Sequence, residues 1–485
     1  MAHPTHSPTA PRAVRPEHYS QWHLTGFTFY HGDPMLTNTD VHDFLQKTAF
    51  MPWRKSRGEV DSYLRFETTL RMLFEVVVFF DEFWGQRGFW PKIRTLLKLD
   101  STLGGHAETY VDPNTGVPID IGVIVFENTT TVKNYFVRLG VSLVDIEGFG
   151  GNGTVPVDFS TGQVDATYPP PDQEAIAAAL VGYAAQRAKY PALDTKFNLT
   201  YPVEPDLLLS FGEFLTKYHL EALAPVAFLV SQGITPYLNV STLYVFKNFN
   251  PLQLAVPLLT TEQHATHELY AQALAELGPE HVLLRTNVKE VDRGNGADDP
   301  VVFAAPPVLN NFQGWDLCAV EKSLFGQWHA SGYYTGILEN AGIPAGMTQL
   351  QNSGPGKPFR LPELPGPYVF TQVPAANVTQ VYYADPDVVS AEAAQADILA
   401  NLERFKAANG IHTESKPTWR VFSPHAPFNL MVSNEAIEDH FYEKVFGLQG
   451  ERNTYFNGAA WSTQVSNSIW EFSDEYLLPI LLASL

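Results

Sequence analysis

The segment Leu103-Gly104-Gly105-His106-Ala107-Glu108-Thr109-Tyr110, followed by Ile119-Asp120-Ile121-Gly122-Val123, constrains this chain more than any other stretch. Two adjacent glycines after an apolar run let a backbone turn and press close to a ligand where a Cβ would clash. Downstream the pattern is orderly. Residues 117–126 read as a strand, and residues 129–139 as a helix with Val132, Tyr135, Phe136 and Leu139 on one face. Further helices are expected over residues 172–190 with Asp172 as N-cap, 204–222, 260–277 ended by Gly278, and 390–409 closed by Gly410. Strands are expected over 281–292, 418–422 and 454–456, the last leading through Gly458 into a helix near Ser462. Residues 148–171 and 355–367 are Gly/Pro-rich connections.

The chain is long enough, at 485 residues, for two or three domains, and 45% hydrophobic against 17% charged residues places it among globular proteins. Thirty-one basic against 52 acidic residues give a net charge of -21, which repels phosphate backbones and argues against nucleic-acid binding. A single cysteine, Cys318, excludes an internal disulfide and a cysteine-based zinc site. Five Asn-x-Ser/Thr sequons, at Asn128, Asn152, Asn198, Asn239 and Asn377, mark a possible glycoprotein and leave the secretory route open. The Pro/His/Thr-rich first 16 residues do not have the apolar segment of a signal peptide. The apolar runs 72–80 and 477–485 are far too short to span a bilayer.

Several tempting patterns carry little chemistry. Gly148-Phe149-Gly150-Gly151-Asn152-Gly153 has dinucleotide-type spacing, but β-prone Thr154-Val155-Pro156-Val157 follows where a helix should open, so it reads as a glycine loop. His264-x-x-His267-Glu268 could share a helix face, but no third metal ligand is evident, and a polar helix face is the better reading. Cys318, flanked by Leu317, Ala319 and Val320, is expected to be buried rather than nucleophilic. No Gly-x-Ser-x-Gly elbow is present, and Asp145 and Glu147 support no acid–base assignment.

The double glycine gains weight in combination. Leu103 to Gly122, Glu127-Asn128, Tyr135-Phe136, Glu268-Leu269-Tyr270 and Val282 to Val288 form one series. Tyr333-Tyr334-Thr335-Gly336, residues 419–428, Arg452 to Trp461 and Ser468 to Phe472 continue it. Together they resemble the fungal FAD-dependent oxidoreductases of the β-cyclopiazonate dehydrogenase family, a branch similar to the flavin amine oxidases. The resemblance implies an α/β fold. A Rossmann-like FAD-binding domain would be assembled from residues 96–150, 256–308 and 416–485, with an inserted α+β substrate domain from 151–255 and 309–415. Residues 1–95 stay unassigned. They do not contain the Gly-x-Gly-x-x-Gly turn that should precede the double glycine, and Lys98 stands where a ribose-binding carboxylate is expected, with Asp100 the nearest acid. The break near Leu99 reads as a wrong first exon or reading frame, the alternative being a real protein whose N-terminus has been replaced.

The same resemblance assigns positions. Gly104, Gly105, His106 and Thr109 would lie along the FAD phosphates and ribityl chain, and Asp120 and Gly122 close to the flavin. Val288 would meet the adenine through its main chain. Gly458 and Ala459 would pass beneath the ribityl chain, and a helix starting near Thr463 would aim its amides at the flavin N1–O2 edge, where a helix N-terminus stabilises negative charge. Tyr333, Tyr334 and Trp461 would line a substrate pocket. The implied reaction removes a hydride and a proton from a C–N or C–C unit of a bulky, apolar natural product in fungal secondary metabolism, with oxygen as reoxidant. The opposing expectation is a non-catalytic homologue that binds no FAD.

Overall fold

The computed structural model describes the strand residues 20–24, 27–31, 77–85 and 88–97, and residues 103–484 apart from 147–152, 232, 287 and 294–299. Lys98, Asp100, Glu147 and Asn152 lie outside the described residues. The chain divides into two compact units, residues 1–65 and 66–485. In the first, Ser20–Leu24 and Phe27–His31 pair as an antiparallel hairpin.

The second unit is built on two sheets. The five-stranded sheet runs in the order Val282–Leu283, Gly88–Leu97, Val77–Gly85, Val301–Phe303, Thr454–Phe456. Its two outer pairs are parallel. Val77–Gly85 is antiparallel to both of its neighbours, so the other four strands share one direction. The triplets Val301-Val302-Phe303 and Thr454-Tyr455-Phe456 are buried at every position, as strands covered on both faces must be.

The seven-stranded sheet runs Thr418–Met431, His329–Glu339, Val378–Asp385, Gly366–Val373, Gln349–Asn352, Thr154–Asp158, Gln163–Val164, antiparallel but for Gln349–Asn352 against Thr154–Asp158. The helix Ala391–Ala408 covers one face. Its buried Ala394, Ile398, Leu402 and Phe405 recur at helical spacing and close a core with Leu338, Leu350, Phe370 and Val381. The opposite face, with Tyr333, Tyr368 and Val369, belongs to the main core shared with the helices and the five-stranded sheet.

Three expected helices form: Gln173–Arg187 on its expected cap Asp172, and Thr130–Arg138 and Ala391–Ala408, whose expected first residues Thr129 and Ser390 serve as their caps. Others are cut by local chemistry. The expected helix over 204–222 breaks at Leu209 because Ser210 and Glu213 form a capping box that starts a new helix, Phe211–Tyr218. The expected helix over 260–277 opens as the strand Leu259–Thr261, paired with Leu143–Asp145, and is helical only from His267 to Leu277. The strand expected over 281–292 spans only Val282–Leu283. The strand expected at 418–422 continues to Met431 and pairs with His329–Glu339, so these residues join the seven-stranded sheet rather than the sheet containing Thr454–Phe456.

Phe405 is fully buried in the core beneath the covering helix, with its ring near Phe159. Phe405→Ala should lower stability by about 3–5 kcal/mol through lost burial and the cavity left behind. Urea titration followed by far-ultraviolet circular dichroism would measure it; an unchanged midpoint would contradict the packing described.

Candidate functional site

The two parallel strands Val301–Phe303 and Thr454–Phe456 end side by side, and their continuations face each other. Ala304, Ala305 and Pro306 follow the first; Gly458, Ala459 and Ala460 follow the second, and with His106 they bound a small cleft. Ligands of open α/β sheets bind outside the carboxyl ends of parallel strands. The walls here are alanine, glycine and proline, so backbone can approach a ligand closely. Gly458 has φ +100°, a conformation that disfavours a side chain.

The double-glycine segment reaches the cleft through His106. Gly104 has φ +116°, and a Cβ on it would stand 2.9 Å from the Tyr270 ring. Val123 N–H donates to His106 O at 2.8 Å and Ile121 N–H to Glu108 O at 2.9 Å. Between them a Cβ on Gly122 would sit 1.7 Å from His106 O. Gly122 therefore lets the bend that follows the strand Pro118–Asp120 close against the double-glycine turn. The His106 ring packs at a tilt against His425, 4.5 Å between centroids. Burial pushes the Glu108 carboxyl up, but the hydrogen bond and charge of His425, with Ser423 and His106, hold it below the ordinary carboxylate value.

Thr109 and Asp120 are engaged with the protein itself. Thr109 Oγ1 donates to Asp120 Oδ1, and the same carboxylate accepts from Thr266 N at 2.9 Å and Thr266 Oγ1 at 3.1 Å. Asp120 thus ties the hairpin Thr109–Val111/Pro118–Asp120 to the start of the helix His267–Leu277. Burial raises its carboxyl to about 6 against the hydrogen bonds from Thr109 and Thr266. The seven-stranded sheet grips the same hairpin: Gln380 Nε2 donates to Asp120 O at 2.7 Å, and Thr335 Oγ1 to Ile121 O.

A second small cavity adjoins the cleft, and Leu430, Ala459 and Gln464 line both. Thr463 and Lys247 line the second alone. The C-terminal helix begins at Ser466, three residues beyond the expected start, and Val465 supplies no side-chain cap. Val288 is half-buried beyond the strand Val282–Leu283.

The three aromatics do not converge. Tyr333 faces the main core beside Phe428 and His425, with Tyr368 Oη donating to its Oη at 3.4 Å. Tyr334, one residue on, faces the opposite core and donates to Val389 O at 2.7 Å. Trp461 is fully buried, stacked on Phe456 and edge-on to Phe446.

Cys318 is exposed, contrary to the sequence expectation, because it caps the helix Ala319–Phe325. Its Sγ accepts from Glu321 N at 3.5 Å, and its own N–H donates to the Glu321 carboxylate at 2.8 Å. His264 has φ +52° and precedes the helix that His267 begins, so the two histidines do not share a helix face. Among the described residues no group of three His, Cys, Asp or Glu is placed to hold a metal. Gly153 leads into the strand Thr154–Asp158 and not into a helix.

Lys247, Asn429 and Gln464 went unnoticed in the sequence. Lys247 carried one signal: a cation inside Leu243-Tyr244-Val245-Phe246-Lys247-Asn248, a stretch whose apolar residues lie on every side of a helix. Asn429 and Gln464 carried none.

No family model matches the chain. It is 34% identical over 419 residues to an FAD-dependent oxidoreductase of Cochliobolus heterostrophus, covering 80% of this chain and 86% of that one. It is 31% identical to an FAD-dependent oxidoreductase of Apiospora sacchari, over 79% of this chain and 86% of that one. It is 27% identical to the β-cyclopiazonate dehydrogenase of Aspergillus flavus, over 80% and 87%. Among solved structures it is similar in fold to a CLA-producing fatty acid isomerase from P. acnes, with a TM-score of 0.61 at 20% identity over 79% of this chain and 92% of that one. A putrescine oxidase mutant matches with a TM-score of 0.54 at 13% identity, over 80% and 93%.

Asp120 yields a pH prediction. Folding raises its carboxyl from 3.8 to about 6, so the folded chain binds more protons than the unfolded chain between those values. Its contribution is complete below pH 3.8 and is lost as pH rises through about 6. The expected loss is roughly 3 kcal/mol. Asp120→Asn keeps the acceptor oxygen and should flatten that part of the stability profile in denaturant titrations from pH 4 to 7. An unaltered slope in the variant would refute the assignment.

Proposed function

The chain belongs to the family of fungal FAD-dependent oxidoreductases, and on that premise we propose that it binds FAD in the cleft at the carboxyl ends of the parallel strands. There it oxidises a bulky, largely apolar natural product, by dehydrogenation or oxidative cyclisation, in fungal secondary metabolism. The observation that carries this reading is the cleft itself: small residues from two parallel strands, with His106 of the double-glycine segment closing one side. These residues fit the flavin and ribityl portion of the cofactor, which needs close backbone approach rather than a charged cage.

FAD, when bound, supplies the hydride acceptor. The remaining tasks fall to the chain. Gly458 and Ala459 support the ribityl side, and Ala304 and Ala305 form the facing wall. His106 caps the cleft, with its ring held in place by His425. Thr463 and Gln464 precede the C-terminal helix, whose first amides at Ser466 would carry partial positive charge towards the flavin N1–O2 edge. Gly104 and Gly105 shape the approach, and Val288 marks the adenine end. The apolar walls of the adjoining cavity, Phe197, Ile234 and Met431 among them, exclude water and suit an apolar substrate.

A specific observation favours the second reading, a homologue without FAD. The strand Val77–Gly85 at the middle of the five-stranded sheet is antiparallel to its neighbours, so its carboxyl end lies at the other side of the sheet from the cleft.

The visible spectrum separates the two. Purified full-length chain should show flavin absorption bands, and Gly458→Val should lose most of that colour because a branched side chain strains φ +100°. A folded protein that stays colourless after incubation with FAD would overturn the first reading in favour of the second.

A further inference from the structure

We propose that the second cavity is a substrate subsite for an oxyanion, a carboxylate or an enolised dicarbonyl on an otherwise apolar molecule, gripped by the Lys247 ammonium and the Asn429 carboxamide. The inference rests on the oxidoreductase reading for the chemistry next door, but its geometry stands apart from it.

Lys247 is the cation among the residues lining this cavity. It lies on the helix Thr242–Asn248, which is buried at all seven positions. Its Nζ donates to Leu193 O at 2.7 Å and stands 5.2 Å from the Phe197 ring centroid. That carbonyl uses one of three donors, and a neutral carbonyl does not offset a buried charge. The charged groups acting on Lys247 are Arg187, Asp194 and Glu471. Asp194 is already paired with Arg187 at 2.7 Å, and Glu471 accepts from Thr131 at 2.9 Å. Tyr244, on the same helix and lining the same cavity, is pushed up by burial to about 12 and stays neutral. Burial, with Arg187 adding to it and the two carboxylates opposing, lowers Lys247 to about 7. An anion in the cavity would restore its charge.

Asn429 supplies an independent observation. It is 8% exposed, and its Nδ2 has no hydrogen-bond partner. An orphaned buried donor costs free energy until something accepts from it. Its place on the cavity wall is set by the backbone. His329 pairs with Met431 and Ser331 with Phe428, so Asn429 and Leu430 together oppose the single residue Ala330. This is a β-bulge, with Asn429 at φ +43°, and bulges re-aim side chains beside functional sites. Here the bulge brings both Asn429 and Leu430 to the cavity wall.

A strut joining Leu193 to the helix accounts for one Lys247 donor and leaves Asn429 unexplained. An oxyanion accepts from both. Because Leu430, Ala459 and Gln464 line both spaces, an oxygen held here would leave the neighbouring carbons facing the cleft.

The test is calorimetric titration of the full chain, incubated with FAD, using three probes of similar size: dimedone as enolate, cyclohexanecarboxylate as acid, and neutral 3,3-dimethylcyclohexanone. At about pH 6.5 one of the anions should bind at least about tenfold more tightly than the ketone, as charge-assisted hydrogen bonds require. Which anion prevails identifies the source of the oxygen. Lys247→Met should abolish the preference, Lys247→Arg should keep most of it, and Asn429→Ala should reduce it several-fold. In the wild type the preference should fade as pH rises to about 8.5 and the ammonium loses its proton. Equal binding of all three probes, or a preference that a folded Lys247→Met retains, would overturn the proposal. If Lys247→Met does not fold, a wild-type preference constant over that pH range overturns it. Flavin absorbance of the same samples reports FAD binding separately: anion preference in a colourless protein supports the subsite while removing the oxidoreductase reading.

Discussion

The pairing of Val301–Phe303 with Thr454–Phe456 is the constraint on which the rest depends. Five strands of the seven-stranded sheet are threaded between these two strands in sequence, from His329 to Met431. Parallel hydrogen bonding puts Ala304 and Gly458 at the same end, where a single methyl group and a residue without a side chain leave space instead of filling it. A shift of register would turn Tyr455 and Phe456 to the wrong faces and carry Gly458 away from Ala304. The cleft exists because this short, fully buried ladder holds its alignment.

The larger sheet is then fixed by a handful of polar contacts at one hairpin. Gln380 and Thr335 donate to the main-chain carbonyls of Asp120 and Ile121. Glu127 adds a latch: its carboxylate accepts from Gln253 at 2.9 Å, Asn467 at 3.1 Å and Asn250 at 3.3 Å. Burial pushes the Glu127 carboxyl up while these three amides pull it back down. One acidic side chain therefore joins the exit of the hairpin, the Leu252–Ala255 turn of helix and the C-terminal helix.

This explains which features were legible in the sequence. Helices with a polar cap and an apolar stripe, such as Ala391–Ala408, are encoded by neighbours within a few residues and were readable. Gly104, Gly122 and Gly458 were readable because a close approach leaves a glycine behind. Glu127 stood out within a family pattern, but its role as a latch was hidden because its partners lie far along the chain. Asp120 looked like a cofactor neighbour, whereas its carboxylate meets Thr109 and Thr266. Lys247 and Asn429 became visible only once strands and helices distant in sequence had enclosed a common space. Residues 77–97 illustrate the reverse: apolar and unpatterned as text, they take their form from pairing with the sheet.

The bulge at Asn429 and Leu430 also bears on how such an enzyme diversifies. Consecutive residues of a regular strand point to opposite faces, so point substitution can change one lining residue at a time. Here a single extra residue governs two neighbours at once. Losing it would restore regular pairing with Ala330 and turn one of the two side chains out of the shared wall. Insertions and deletions, rather than exchanges of side chain, are therefore the large steps available to this pocket, and they are open to the lineage without disturbing the parallel strands that hold the cleft.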